Sequence, residues 1–182
     1  ALEGIGVFAL QTYTREQQAG MLVFGLVALA LAVVCFGILA ASWRIDFLDK
    51  RPTPLPVRVS FGVFAVVLLL VGGSLALQRP NIFPWTISPE NSTIYGWIFL
   101  GAMCYFIYAL IYPVWGNARG QLLGFLAYDL VLIIPFLQHF QTVQPELRLN
   151  LIVYTAVLLY SGLLAIYYLF IHRDTRFQKL RN

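Results

Sequence analysis

The chain has 182 residues, of which 60% are hydrophobic and only 11% are charged. Soluble domains carry about 25% charged residues, so this composition excludes an ordinary water-soluble globular fold. The formal net charge of +4 arises from 12 Lys and Arg residues against 8 Asp and Glu residues. In a membrane protein such an excess of basic residues reports orientation first, and we therefore predict no nucleic-acid partner.

The apolar residues form long unbroken runs, which differ from the alternating segments of about ten residues in a membrane barrel. Because every backbone N–H and C=O must be satisfied within hydrocarbon, these runs predict α-helices. We therefore predict an all-α integral membrane bundle of about five transmembrane helices, built as a single membrane domain over residues 1–182. The predicted spans are residues 20–43, 59–77, 89–112, 121–140 and 147–172.

The segment from Leu2 to Leu10 is apolar but too short and too rich in glycine to cross a bilayer. Thr14 to Gln17 fits a capping box, which predicts that the first span begins just after it. Within that span Gly25, Ala28 and Ala32 recur at helical spacing, where small side chains let a neighbouring helix approach closely.

The linker to the second span carries three prolines, which predict an extended path as far as Arg58; they are Pro52, Pro54 and Pro56. The second span contains another stripe of small residues, which predicts a second close helix contact. This stripe consists of Gly62, Ala65, Gly72 and Ala76.

The third and fourth spans are predicted to form an antiparallel hairpin. Ser88 is a helix N-cap residue, and Pro89 suits the first helical position. Pro113 and a turn that ends at Gly120 return the chain into the fourth span, where Pro135 predicts a kink. Proline and glutamate at positions 145 and 146 open the fifth span, which we expect to continue in water through residue 181.

The basic residues predict the orientation of this arrangement. With the N-terminus outside and the C-terminus cytoplasmic, 9 of the 12 basic residues face the cytoplasm, as the positive-inside rule requires. The inner set is Arg44, Lys50, Arg51, Arg58, Arg119, Arg173, Arg176, Lys179 and Arg181, and the outer set is Arg15, Arg79 and Arg148. Trp43 and Trp115 then lie at the inner boundary, and Trp85 and Trp97 near the outer one, as in aromatic belts. Side-selective chemical labelling of the C-terminus would check this orientation.

Asp129 is a carboxylate in the middle of the fourth span. Inserting an aspartate there costs about 3 kcal/mol on biological scales, and such residues often mark ion or proton paths. Counting residues from the two neighbouring turns places Asp129 level with Tyr105 of the third span and with Tyr154 and Thr155 of the fifth. We interpret these four residues as an intramembrane polar cluster. Since the spans hold no basic partner, we favour an interhelical hydrogen-bond clamp, worth about 1 kcal/mol, over a transport path.

No nucleophile with its base, metal cluster or phosphate-binding loop is recognisable, so we predict no catalytic residue and no metal. Whether the chain is an enzyme stays open, and an enzyme of lipid or quinone chemistry is the third and least supported alternative. His139 and His172 fall at opposite ends of the predicted spans, which excludes a bis-histidine haem. Cys35 and Cys104 lie in apolar runs without a ligand spacing. We predict no cofactor; a lipid, a quinone or a pigment in an aromatic-lined groove stays an open alternative.

Apolar residues outside the spans usually lie in the membrane interface or contact a partner. The candidate contact residues are Phe83 and Trp85 outside the spans, with Trp97 near the outer boundary of the third span and His139 at the outer end of the fourth. We therefore predict a non-catalytic membrane subunit or accessory protein that packs through small-residue helix faces and apolar outer segments. Its expected partners are membrane lipids and other membrane subunits or a second copy. The alternative is a small oligomeric transporter or proton-coupled channel that uses Asp129.

The stretch from Pro84-Trp85 through Ser88-Pro89 to Gly101 resembles a pattern seen in bacterial membrane proteins. No function is associated with this pattern. We expect an integral protein of the bacterial inner membrane.

Overall fold

The computed structural model describes residues 2–16, 19–42, 45–47 and 49–176, with the backbone alone at 13–16 and 19–21. The described residues form six helices and no strand. They are α1 (Leu2–Glu16), α2 (Ala19–Ser42), α3 (Leu55–Ala76), α4 (Pro89–Ile111), α5 (Trp115–His139) and α6 (Arg148–Ile166). A 3₁₀ turn, Pro145–Leu147, precedes α6, and one π-helical turn, Tyr167–Ile171, continues it. The helices α2 to α6 are long and apolar enough to cross a membrane, which confirms the predicted all-α membrane protein with five spans.

Some predictions fall on residues that the structure does not describe. Trp43, Arg44, Lys179 and Arg181 lie outside the described residues, as does Gln17. The orientation of the termini and the single membrane domain stay predictions.

Helix α3 begins at Leu55, four residues earlier than predicted. Pro56 is its second residue, so the expectation that this proline keeps the chain extended was wrong. The N–H groups of a first helical turn have no partner within the helix, and a proline there therefore costs no hydrogen bond. By contrast, Ser88 caps α4 as predicted, since its hydroxyl oxygen accepts a hydrogen bond of 3.3 Å from the Asn91 N–H.

Helix α5 begins at Trp115, six residues before the predicted Gln121. Two of its first N–H groups are satisfied by the linker between α2 and α3. The Trp115 N–H donates to the carbonyl oxygen of Arg51 at 2.6 Å, and the Gly116 N–H donates to that of Asp49 at 3.0 Å. The segment that was predicted to be a turn is therefore helical because another part of the chain caps it.

Helix α6 and its π-helical turn end at Ile171. His172 is extended, with φ −65° and ψ 121°, and a turn follows. The prediction that this helix continues through Arg181 was wrong for His172 to Arg176, which are not helical. Residues 177–182 lie outside the described residues.

The chain divides into two compact units. Unit 1 contains Ala1–Asp46, Ala65–Arg79 and Ser88–Tyr105, and unit 2 contains Phe47–Phe64, Pro80–Ile87 and Phe106–Asn182. Helices α3 and α4 each contribute residues to both units, whereas α1 and α2 belong to unit 1, and α5 and α6 belong to unit 2.

In unit 1, α1 packs against the first half of α2. A Cβ atom added to Gly25 would lie 3.1 Å from the carbonyl oxygen of Gly6, so the two backbones are in close contact. The buried faces consist of Ile5, Gly6, Ala9 and Thr12 on α1 and of Gly25, Ala28 and Ala32 on α2. The first predicted stripe of small residues is thus a packing face. The predicted capping box was wrong, because the backbone at Thr14 is already helical and belongs to α1.

The second stripe packs α3 against α4 in unit 1. A Cβ atom added to Gly96 would lie 2.4 Å from the backbone nitrogen of Ala76 and 2.8 Å from the carbonyl oxygen of Gly72. The hydroxyl of Ser92 also donates to the carbonyl oxygen of Leu75 at 2.8 Å. Gly62 takes no part in this contact, because a Cβ atom added there would meet nothing within 4 Å.

The core of unit 2 is aromatic. The rings of Phe61 and Phe64 on α3 pack on Phe106 of α4, with centroid separations of 5.2 and 5.9 Å. Phe125 of α5 lies 4.9 Å from Phe64 and 5.0 Å from Phe106. These rings hold α5 against α3 and α4.

We predict that Gly96→Ala lowers the free energy of unfolding by about 1–3 kcal/mol, the usual cost of overpacking, because the new methyl group meets the backbone of α3. The measurement is thermal unfolding of the purified protein in a mild detergent. Gly73→Ala is the matched control, since a Cβ atom there meets nothing within 4 Å. The control should be neutral or stabilising by about 0.5–1 kcal/mol. Equal stability of the two variants would contradict the close contact between α3 and α4.

Candidate functional site

Helices α5 and α6 pack against each other, and each carries a row of buried or partly buried residues; we call the two rows the α5–α6 seam. The rows consist of Trp115, Ala118, Leu122, Phe125, Asp129, Leu132 and Phe136 on α5 and of Leu147, Leu151, Tyr154, Leu158, Ser161, Ala165 and Tyr168 on α6 and the turns at its two ends. All these residues are buried or partly buried. Their steps alternate between three and four residues, a mean repeat of about 3.5, which keeps a packed face turned toward a partner helix.

Asp129 lies in the middle of this seam with only 6% of its surface exposed. The Ser161 hydroxyl oxygen lies 2.9 Å from Asp129 Oδ2. Next to it, Gly162 leaves room for the carboxylate, since a Cβ atom added there would lie 3.3 Å from the same oxygen. No group in the described part of the chain bonds to the other oxygen, Oδ1. The carboxylate is therefore half-satisfied in an apolar interior.

The predicted partners of Asp129 on α6 are corrected by this geometry. The counting placed Thr155 beside Asp129, but the residue that bonds it is Ser161, six residues further along α6. Phe136 lies seven residues after Asp129 on α5, and Tyr154 lies seven residues before Ser161 on α6. The ring contact between Phe136 and Tyr154 therefore belongs to the same antiparallel alignment of the two helices as the Asp129–Ser161 bond. Tyr154 therefore lies seven residues, about 10 Å, from the level of Asp129.

The predicted polar cluster divides accordingly. The Thr155 hydroxyl donates to the carbonyl oxygen of Leu151 at 2.8 Å within its own helix, and the buried Tyr154 hydroxyl bonds no group among the described residues. Tyr105 is 49% exposed and belongs to unit 1, and its proximity to Asp129 stays a prediction. Ser161 was missed, although its place in the heptad row of α6 was readable from the sequence.

The loop before α4 covers one end of the hairpin and forms an aromatic cap made of Phe83, Trp85, Phe136, His139 and Tyr154. The Phe83 ring stacks on Trp85 at 5.2 Å and packs 5.7 Å from Tyr154. His139 Nε2 lies 3.0 Å from the carbonyl oxygen of Pro84. Since Phe83 is only 5% exposed, its expected role as a partner contact is corrected: it packs on its own chain. A partner contact through Trp85 or His139 stays a prediction.

Trp97 lies in unit 1, where its indole ring packs on Gly4 of α1. It also lines a shallow groove of about 400 Å³ together with one face of α1. The lining residues are Glu3, Gly4, Val7, Phe8, Gln11 and Trp97. Trp97 has 36% of its surface exposed, and a partner contact through it stays a prediction.

The opposite end of the hairpin is held by a linker latch, formed by Asp49, Arg51 and Asp174. The Arg51 guanidinium donates to both carboxylate oxygens of Asp49, the shortest contact being 2.6 Å, and to the carbonyl oxygen of Asp174. Trp115 beneath this linker has no exposed surface. Its predicted place in an aromatic belt was therefore wrong, because a buried indole cannot face lipid headgroups.

The Arg51 guanidinium beside Asp49 holds the pKa of that carboxyl below its usual value of 3.8. A carboxylate with a lowered pKa contributes stability that is present above 3.8 and is lost as the pH falls through the lower folded value. This contribution is small, since Arg51 is exposed to solvent.

His139 and His172 lie at opposite ends of the α5–α6 hairpin, as predicted. His139 belongs to the aromatic cap, whereas His172 Nδ1 lies 3.0 Å from the Thr175 hydroxyl. Among the described residues no three His, Cys, Asp or Glu side chains lie close enough together to hold a metal ion.

No protein-family model matches this chain, and no curated protein or solved structure matches it either.

We predict that Ser161→Ala lowers the free energy of unfolding by about 1–3 kcal/mol, the cost of leaving a buried polar group without its partner. Thr155→Val is the matched control on α6, because its hydroxyl bonds only within the helix. The double variant Asp129→Leu with Ser161→Ala should be more stable than the single Ser161→Ala, since it removes both polar partners. Thermal unfolding in detergent measures all of these differences. If Ser161→Ala and Thr155→Val behave alike, Ser161 is not the partner that secures Asp129.

Proposed function

We propose that this chain is a non-catalytic integral membrane subunit or accessory protein of a larger membrane assembly. The observation that carries the proposal is the second half of α2. Every residue from Val33 to Ser42 is exposed, although ten consecutive helical residues point in all directions around the axis. Within the described chain no helix covers this half-span.

The exposed half-span has the composition of a helix-packing surface. Gly37 and Ala41 lie four residues apart, a spacing that creates a groove for a second backbone in a membrane. A Cβ atom added to Gly37 would meet nothing within 4 Å. The first half of the same helix uses its own small residues, around Gly25, to pack against α1. The second half thus carries a similar pair of small residues, but no described helix of unit 1 packs against it.

The surface through which the chain is proposed to associate differs from the surfaces predicted from the sequence. The small-residue stripes of α2 and α3 named from the sequence pack within the chain, and Phe83 packs on its own hairpin. The association is therefore assigned to the stretch from Val33 to Ser42, and the occupant is a membrane helix of another subunit or of a second copy.

Cys35 lies within the exposed half-span and provides a native probe. We predict that oxidation or a short apolar bis-maleimide applied to native membranes cross-links the chain through Cys35. Cys35→Ser should abolish the product, whereas Cys104→Ser, the control at the other exposed cysteine, should not. Gly37→Leu should reduce at least several-fold the share of the chain that remains in a complex in mild detergent, because the added side chain fills the groove. Cys35 lies two residues from Gly37, on the opposite face of the helix, so its cross-link reports a neighbour of the half-span and the Gly37 variant tests the groove. Gly124→Leu is its control, as Gly124 is also exposed and without a neighbour within 4 Å.

The mass of the product distinguishes a second copy from another subunit, and both support the proposal. A chain that gives no Cys35 product in membranes and is monomeric in mild detergent would contradict it.

A small oligomeric transporter or proton-coupled channel is the second candidate. It is favoured by one observation, the carboxylate of Asp129 with an unbonded oxygen between two spans. Under this alternative Asp129→Asn should abolish a proton flux measured in liposomes, while Thr155→Val should leave it intact. Flux that survives Asp129→Asn would remove Asp129 from the mechanism.

A further inference from the structure

The hydrogen-bond network around Asp129 contains more acceptors than donors if the carboxylate is ionised. The Ser161 hydroxyl has a single hydrogen, and its oxygen lies 2.9 Å from Asp129 Oδ2, 3.0 Å from the carbonyl oxygen of Val157 and 3.1 Å from that of Leu158. An ionised carboxylate is an acceptor only. It would therefore take the hydrogen of Ser161 away from the helix carbonyl groups and still leave Oδ1 unbonded.

One additional proton satisfies these contacts together. With the proton on Oδ2, Asp129 donates to the Ser161 oxygen, and the Ser161 hydroxyl donates in turn to the carbonyl oxygen of Val157 or Leu158 within its own helix. Oδ1 is then the carbonyl oxygen of a neutral acid, which is far less costly to bury without a partner than an oxygen of a charged group.

The surroundings provide no counter-charge that would favour the ionised form. On α5, the only titratable residue besides Asp129 between Arg119 and His139 is Tyr128. On α6 and its π-helical turn, the titratable residues between Arg148 and His172 are four tyrosines: Tyr154, Tyr160, Tyr167 and Tyr168. The parts of α3 and α4 in unit 2, which pack on Phe125 one turn away, carry Arg58 and Tyr108. Arg58 is exposed, and no ion pair joins it to Asp129. A buried carboxylate without a cationic partner is strongly disfavoured.

From this geometry we infer that Asp129 and Ser161 form an intramembrane proton-binding site, with Asp129 neutral at pH 7 and its proton on Oδ2 shared with Ser161. A bound metal cation fits less well, because hard cations take six or more oxygen ligands and the site offers one carboxylate and one hydroxyl. Release of the proton would leave a charge in the α5–α6 seam. Proton binding and the close pairing of α5 with α6 are therefore coupled, whether or not the chain transports anything.

Infrared spectroscopy of the purified full chain in lipid nanodiscs tests the protonation state directly. At pH 7 the protein should show the C=O stretching band of a protonated carboxyl group, and this band should be absent from Asp129→Asn. Asp49→Asn is the control, because Asp49 is ionised beside Arg51 and should contribute no such band at pH 7. Titration of the wild-type chain needs no variant: the band should persist well above the pH at which exposed carboxyl groups ionise.

Reaction with dicyclohexylcarbodiimide provides a second readout. The protonated carboxyl transfers its proton to a carbodiimide nitrogen while a carboxyl oxygen attacks the central carbon, and the O-acylisourea formed rearranges to a stable N-acylurea. Peptide mass spectrometry should locate this adduct at Asp129 and not at Asp49. The inference is overturned by the absence of both the infrared band and the adduct at pH 7. Protection of Asp129 by sodium ions at constant pH would also overturn it, in favour of a cation site.

Discussion

The burial of one carboxylate between two membrane helices is the constraint on which the rest of unit 2 depends. Asp129 can lie in the α5–α6 seam only if its neighbours leave room for it and provide a hydrogen-bond partner. Gly162 provides the room, and Ser161 provides the partner at 2.9 Å. The heptad rows then fix the register of every other contact of the hairpin, because moving either helix by one turn would separate this pair.

Both ends of the hairpin are closed by segments that are not helical. The loop at Phe83 and Trp85 packs into the aromatic cap, and the linker at Asp49 and Arg51 caps the first turn of α5. Irregular backbone is tolerated near a membrane when other parts of the protein satisfy its polar groups. These segments therefore complete the hairpin, and they leave less apolar surface for external partners than the sequence suggested.

The exposed surface that needs an explanation lies in unit 1 instead. Helix α2 combines a covered half, where Gly25 packs on Gly6, with an uncovered half around Gly37. Lipid chains can cover an apolar helix, but the small residues of the uncovered half would then contribute little to packing. Their known use in membranes is to let the backbone of a second helix approach closely. The proposed accessory role therefore rests on a surface of unit 1, whereas the hairpin and Asp129 belong to unit 2, and the two inferences are independent.

The sequence by itself determined that this is an all-helical membrane protein with five spans, because the length and hydropathy of a span are local properties. It also determined local features such as the Ser88 cap of α4 and the packing faces around Gly25 and Gly72. The tertiary structure decided where α5 begins, because carbonyl groups of a distant linker cap its first turn.

The tertiary structure also decided which residue bonds Asp129. Counting outward from the loop at Thr142 placed the centre of the turn about three residues too early, since the pair Asp129–Ser161 is centred on residue 145. In an antiparallel hairpin this error doubles to six residues, about 1.7 helical turns, at every level of the seam. Register is a property of the packed pair of helices, and only the packing of α5 on α6 places Ser161, and not Thr155, beside the carboxylate.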